Sequence, residues 1–271
     1  MTFDLPPLTN IRSDRVKAVR GLGRRAARDK QGKFLVEGPQ SVRELIAWAP
    51  ERALHVYVTQ QAIETHQEMI AAAQDHGIPV QECSDEVLAL MGDTQQPQGV
   101  LALAKTRSLA PEQVLEGMAT DDFVVILTNV RDPGNAGTVI RGADAFGAAG
   151  VLVSDGSVDI HNPKVVRSTV GSLFHLNISA QGSVTELLSL CREAGVRTLA
   201  ADGRGDVSLP DADLSGQHAW VMGNEAWGLP ANERDLCDKV VSVPIVRAES
   251  LNLAMAATVC LHASAAARGV S

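Results

Sequence analysis

Apolar positions along this chain fall into two successive rhythms. In the first, short β-branched or apolar runs at Phe34–Val36, ALHVYVT, IPVQEC and QGVLALAK alternate with the helical stretches SVRELIAWA, AIETHQEMIAAAQDHG and Asp85–Met91. That alternation predicts a small α/β sandwich ending near Lys105. Ahead of it lies a basic helical segment that breaks near Gly21 and Gly23. The segment TRSLAPEQVLEGMATDD reads as a linker and a lead-in helix, with Pro111 in its first turn. From Phe123 the alternation resumes on a larger scale through FVVILT, GVLVSD, HLNISA, RTLAAD, HAWVMG and KVVSVP. Runs that are apolar on both faces predict a parallel sheet covered by helices on each side. The expected organisation is therefore 1–105, a linker over 106–120, and 121–271.

Composition supports two domains, since 271 residues with 45% hydrophobic content can supply a core for each. Charge changes the picture more. Residues 1–33 carry nine Lys/Arg against three acids, although the whole chain has a formal charge of −8. A basic arm on an acidic protein is either a local nucleic-acid contact or a solvated helix face. Cys83, Cys191, Cys237 and Cys260 form no CxxC pair, so buried thiols are expected in place of a zinc knuckle or a disulfide framework. The start MTFDLPPLTN lacks the pattern of a secretory signal, and no apolar run reaches membrane-spanning length. A cytoplasmic protein is expected.

Ligands of parallel sheets sit beyond the carboxyl ends of strands, which singles out three turns: NVRDPGNAG, GNEAWGLP and PIVRAESLN. The first has neither GxGxxG spacing nor the Lys-Ser/Thr pair of a P-loop. Asn135 there is a helix cap or a ligand contact. Arg141 lies off the apolar face made by Val139, Ile140, Ala143 and Phe146. If both were helical, Asn135 and Arg141 would point roughly 120° apart, so they converge only if Asn135 belongs to the turn. Glu225 either caps a helix start or holds a partner, and Trp227 reads as a packing residue. Ser250 is of N-cap type for the alanine-rich helix that follows. Asn252 is a poor helix former in that helix's first turn, which points to a second duty for its amide. The helix is small or apolar nearly all round, as expected of a buried or subunit-contacting element.

Taken in order, NVRDPGNAGTVIRGADAFG, VMGNEAWGLP and VPIVRAESLNLAMAA resemble the three motifs of the SpoU/TrmH family of RNA ribose 2′-O-methyltransferases, with NPKVVRSTVGSLFHL resembling its middle segment. FLVEGPQSVREL and QPQGVLAL resemble that family's accessory substrate-binding domain, whose fold is like ribosomal protein L30e. The resemblance implies an α/β fold throughout: a small L30e-like sandwich, then a SPOUT-type domain with a parallel sheet and a deep trefoil knot, paired as a homodimer. It implies S-adenosylmethionine held by Gly223, Val243, Ile245, Ser250 and Leu251. Asn135, Arg141, Glu225, Ser250 and Asn252 would face the acceptor RNA, and no metal is called for. Arg12, Arg20, Arg24, Arg25, Arg28 and Arg167 are the candidate RNA contacts. The implied substrate is structured RNA, 23S ribosomal RNA first and transfer RNA second, with no membrane partner. Two other classes stay open: a non-catalytic RNA binder on the same scaffold and a dinucleotide-dependent enzyme, the latter opposed by the missing GxGxxG.

Overall fold

Ser13 opens the basic arm. Its hydroxyl accepts from Val16 N, and α1 runs Asp14–Gly21 before the expected break, with α2 over Arg25–Gln31. The computed structural model describes residue 3 and residues 5–269. Contacts group residues 1–107 with 161–175 in one unit, and 108–160 with 176–271 in a second. The outermost residues of the two expected domains (1, 2, 4, 270 and 271) lie outside the described residues.

In the first unit the chain continues through β1 (Lys33–Glu37), α3 (Pro39–Trp48), β2 (Ala53–Val58), α4 (Gln60–Thr65), α5 (Gln67–Asp75), β3 (Val80–Glu82), α6 (Asp85–Met91) and β4 (Val100–Lys105). The strands form one sheet in the order β1-β4-β2-β3. Ser84 caps α6 by accepting from Val87 N, which sets the helix start where sequence placed it. The single helix expected ahead of Gly77 is instead two, because His66 leaves helical geometry at φ −126°, ψ 40°. Val16 and Val19 of α1, with Leu22 just after it, pack with Leu35, Tyr57, Leu101 and the apolar side of α6. The arm is therefore anchored by its apolar stripe while Arg12, Arg20, Arg24 and Arg25 stay exposed.

The second part of the chain comprises α7 (Pro111–Glu116), β5 (Phe123–Leu127), α8 (Pro133–Ala145), β6 (Gly150–Val153), α9 (Pro163–Thr169), β7 (Asn177–Ser179), α10 (Val184–Glu193), β8 (Arg197–Ala201), β9 (Val207–Ser208), β10 (His218–Met222), α11 (Ala231–Arg234), β11 (Lys239–Ser242) and α12 (Leu253–Ala267). Sequence placed α9 with this second sheet, whereas contacts group His161–His175 with the first unit. There the Phe34 ring lies 4.6 Å from that of His161 and 6.4 Å from that of Phe174. His175 Nε2 stands 3.1 Å from Glu44 Oε2.

The seven strands of the second unit pair in the order β7-β6-β5-β10-β8-β11-β9, every pair parallel. All six expected strands are present. The additional one, β9, is a two-residue edge strand too short to carry an apolar pattern. Every residue of β5, β6 and β10 is buried, which is why their sequences do not alternate.

The alanine-rich helix α12 buries Ala254, Ala257, Cys260, Leu261, Ser264 and Ala265. Within that face His218 Nδ1 is 2.8 Å from the Gly216 carbonyl, so Nδ1 carries the proton and donates. Ser264 Oγ then donates to His218 Nε2 and accepts from Trp220 Nε1, both at 2.8 Å. Burial lowers the His218 pKa from its ordinary value, which keeps this neutral arrangement. Ser264→Ala leaves the indole N–H and one imidazole nitrogen buried without partners. A loss of about 2–3 kcal/mol in urea unfolding is expected, and a loss below about 0.5 kcal/mol would contradict the triad.

Candidate functional site

The carboxyl ends of the adjacent strands β5 and β10 are tied together first. Thr128 donates from its backbone N at 2.9 Å and from Oγ1 at 3.0 Å to the Met222 carbonyl. Asn129 then adopts φ 52°, a left-handed conformation that asparagine tolerates. Ser154 Oγ accepts from Asn129 N, and Asn224 Nδ2 donates to the Asn129 carbonyl at 2.6 Å. The loop out of β5 is thus aimed at the loop out of β10 before any exposed side chain is considered.

Asp132 caps α8, its Oδ1 accepting from Asn135 N at 2.8 Å, with Pro133 in the first helical position. Asn135 is therefore not the cap; it is a helical residue in the first turn. Its side chain joins all three selected turns: Nδ2 donates to Glu225 Oε1 at 3.4 Å, and Oδ1 accepts from Asn252 Nδ2 at 3.0 Å. Glu225 also accepts from Arg131 N at 3.3 Å and Asp132 N at 3.0 Å. It is both a holder of backbone donors just ahead of α8 and a partner of Asn135, so the two roles left open by sequence coexist. Asn252 caps α12 through Oδ1, which accepts from Ala254 N and Met255 N, while its Nδ2 serves Asn135. The second duty expected of that amide is this pair of bonds. Ser250 precedes the helix, is exposed, and is not the cap.

Arg141 lies outside this cluster. Because Asn135 is helical, the condition for convergence with Arg141 fails within one chain: the two are about 120° apart and about 9 Å along the axis. Arg141 is exposed and makes no hydrogen bond or ion pair with any described residue. An open cleft of about 650 Å³ is lined by Arg131, Asp132, Asn135, Asn224, Glu225, Ala226, Trp227 and Asn252. Trp227 is 48% exposed with the Arg131 guanidinium carbon 5.2 Å from its ring centroid, so it is not the packing residue expected. Asp132, Asn224 and Arg131 join the site by position. The pair Asp132-Pro133 is a cap followed by a first-turn proline, a signal present in the sequence.

The candidate cofactor residues surround the next loops. Gly223 follows β10 directly, and a Cβ there would lie 2.4 Å from the Gly228 carbonyl carbon and 2.6 Å from Leu229 N. Glycine is thus required at 223 by the closeness of the chain's own backbone. Residues 244–251 make no backbone–backbone hydrogen bond among the described residues, and 244–250 are exposed. Val243 and Leu251 are half-buried and Ile245 is 36% exposed. A loop with unpaired main-chain donors and acceptors beside apolar side chains fits an adenosine group held by backbone.

Two of the candidate RNA contacts have partners within the first unit. Arg28 is 2% exposed, and its Nη1 donates to the carbonyls of Leu22 and Gly23 at 2.9 and 3.0 Å, bracing the break between α1 and α2. Arg167 pairs with Glu37 at 2.8 Å and Asp93 at 2.9 Å inside the first unit. Arg25 lies 3.7 Å from Asp29 and remains exposed. Cys83, Cys191 and Cys260 are buried and Cys237 half-buried; all four are free, with burial pushing each thiol up to about 12. No group of His, Cys, Asp and Glu suited to a metal occurs among the described residues, and no described helix is long and apolar enough to cross a membrane.

Comparison with known proteins matches residues 122–262 to the SpoU rRNA Methylase family and residues 13–102 to the MRM3-like substrate binding domain. The chain is 33% identical over 251 residues to the 23S rRNA (uridine(2479)-2′-O)-methyltransferase of Streptomyces viridochromogenes, covering 89% of this chain and 85% of that protein. It is 28% identical over 256 residues to the 23S rRNA (guanosine(2553)-2′-O)-methyltransferase RlmP of Bacillus subtilis strain 168, covering 94% and 97%. Among solved structures, the AdoMet-bound rRNA methyltransferase of Sinorhizobium meliloti superposes with a TM-score of 0.83 at 29% identity, covering 95% of this chain and 96% of that one. With three post-strand turns joined through Asn135, Glu225 and Asn252 beyond a parallel sheet, and with these matches over both units, the chain belongs to the SpoU rRNA Methylase family of RNA 2′-O-methyltransferases.

Proposed function

We propose that this chain methylates the ribose 2′-hydroxyl of a nucleotide in structured RNA, 23S ribosomal RNA above all, using S-adenosylmethionine. The observation that carries the reading is the hydrogen-bonded set Asn135–Glu225–Asn252, an exposed polar cluster at the mouth of a cleft next to a loop with unpaired backbone. The cofactor, when bound, supplies an electrophilic methyl group. Gly223, Val243, Ile245, Ser250 and Leu251 are the residues that would hold it.

A ribose hydroxyl is a weak nucleophile, so the chain must orient it and stabilise the charge that develops as its proton leaves. Asn135 and Asn252, each fixed by its partners, present oriented amides for that purpose. A guanidinium is a poor proton acceptor, so the charge of Arg141 is better suited to pairing than to proton abstraction. Its role is to pair with the target phosphate and stabilise the developing alkoxide. Trp227 and Arg131 offer a stacking platform and a cation at the cleft.

The decisive experiment is tritiated-methyl transfer to 23S rRNA and tRNA transcripts, followed by ribose-methylation mapping of total RNA with and without the gene. Labelled 23S rRNA at one position is expected. Label confined to tRNA would replace the substrate, and no label on either would overturn the reading. A cytoplasmic location fits that substrate.

Arg12, Arg20, Arg24 and Arg25 remain the RNA-contacting residues of the arm, supported by their exposure. Changing Arg24 and Arg25 together to alanine is expected to weaken RNA binding and flatten the slope of log affinity against log salt by roughly one to two units. An unchanged slope would make the arm a solvated face. The reading also includes a homodimer through the second unit, supported by the exposed apolar Met255 and Val259 on α12 (59% and 41% exposed) and Val246 in the preceding loop. Sedimentation as a monomer at micromolar concentration would overturn it. The trefoil knot belongs to the same reading, and single-molecule stretching that recovers the full contour length would remove it.

A further inference from the structure

The first unit contains a cavity that the reaction does not use. It lies beside α1, has a volume of about 390 Å³, and is lined by Arg15, Val19, Lys33, His55, Tyr57 and Leu103 among others. His55 and Tyr57 are two apart on β2 and so share one face of the strand, their ring centroids 4.4 Å apart. His55 is 6% exposed and Tyr57 fully buried, yet His55 Nε2 and Tyr57 Oη have no hydrogen-bond partner. Buried polar atoms normally find one, so two orphans lining one cavity are the strongest unexplained feature of this unit. Arg15 and Lys33 are exposed at the same cavity, and Arg15 Nη1 already donates to Gln81 Oε1 at 3.0 Å.

The lining defines the ligand. A phenol and an imidazole can each donate or accept, so together they read an edge that carries both kinds of group. Burial pushes His55 down to about 4, and burial raises Tyr57, so both are neutral at physiological pH and impose no charge on what they contact. The two cations beside them select a ligand that also carries an anion. A flat ring with a hydrogen-bonding edge joined to a phosphate is a nucleotide, and RNA-binding proteins take up bases that are unstacked. The orphan atoms are closed to solvent, so entry requires a lining side chain to move. Arg15 and Lys33 are the long, exposed ones able to do so.

We propose that this cavity receives one unstacked nucleobase of the RNA substrate, its edge read by Tyr57 Oη and His55 Nε2 and its phosphate held by Arg15 and Lys33. The proposal rests on the RNA reading above and adds a recognition site remote in sequence from the methyl-transfer residues. Tyr57 is the single tyrosine of the chain, so tyrosine-labelled full-length protein yields one ring spin system to follow by NMR. Titration with the four nucleoside 5′-monophosphates is expected to move that signal saturably for at least one of them, while ribose 5-phosphate, which has the phosphate but no base, leaves it in place. Tyr57→Phe removes only a buried unpaired hydroxyl, so the variant should fold. It is expected to bind a 23S rRNA fragment about 3- to 10-fold more weakly, the range of one hydrogen bond, with S-adenosylmethionine affinity unchanged. A Tyr57 signal unmoved by every nucleotide, a response to ribose 5-phosphate equal to that of the nucleotides, or unaltered RNA affinity in Tyr57→Phe overturns the proposal and leaves the methyltransferase reading standing. Failure of the unmodified protein to bind any rRNA fragment overturns the RNA reading itself.

Discussion

Arg141→Ala is expected to lower kcat for methyl transfer on the order of 100- to 1,000-fold, the effect of removing one group that stabilises developing charge, while S-adenosylmethionine affinity changes by less than about twofold. The reason is positional. Arg141 sits in the middle of α8 on its exposed side, and it is neither in the loop after Gly223 nor in residues 244–251. Its loss removes no group from the loops assigned to the cofactor, and no described residue depends on it for a hydrogen bond. Single-turnover tritium transfer gives the first quantity and calorimetric titration the second. Retained kcat in the variant, or a cofactor affinity reduced tenfold or more, would sink the assignment to the acceptor side. Arg141→Lys should recover only part of the loss, since an ammonium cannot reproduce the planar pairing of a guanidinium with phosphate.

The second large effect concerns Glu225. Its carboxylate accepts from Arg131 N, Asp132 N and Asn135 Nδ2, so Glu225→Ala frees the entry to α8 and one end of the Asn135 amide together. Bonds to a charged acceptor are worth more than neutral ones, and the loss is concentrated in geometry that catalysis needs. A fall of roughly 100-fold in kcat/KM is expected, equivalent to about 2.7 kcal/mol of transition-state stabilisation. Because Glu225 is exposed, the melting temperature should fall by only a few degrees. Glu225→Gln keeps one acceptor oxygen but turns an amide toward backbone donors, so it should fall between the two. Activity within threefold of the unmodified chain in Glu225→Ala would show that the cluster is structural decoration of the cleft.

Gly223→Val separates less cleanly than these. A side chain there meets the backbone of Gly228 and Leu229 before it meets any ligand, so loss of cofactor binding in that variant would report a displaced loop as readily as a blocked pocket.

Sequence alone determined what depends on neighbours along the chain. The strands appear where β-branched and apolar runs stand, α6 begins where Ser84 offers a cap, and the basic arm breaks between Gly21 and Gly23. Asn135, Glu225 and Asn252 could be singled out because each is a polar residue at a post-strand turn, and Asn252 because it opposes the helix it begins. Tertiary structure decided what these groups touch. Arg28 and Arg24 are alike as letters, yet one is spent on the carbonyls of Leu22 and Gly23 and the other is exposed. Arg167 gains ion-pair partners in Glu37 and Asp93, both distant in sequence, that no local pattern announces. Residues 161–175 group with the first unit, where His161 and Phe174 lie against Phe34, and no periodicity encodes those contacts. Ser250 yielded the cap to Asn252, because a cap is set by where the chain turns helical and not by residue type alone. Backbone propensity and hydrophobic period are local quantities and are written in the sequence. The partner of a charge, the tenant of a cap and the neighbour of an aromatic ring are pair properties, and only the fold that brings distant residues together defines them.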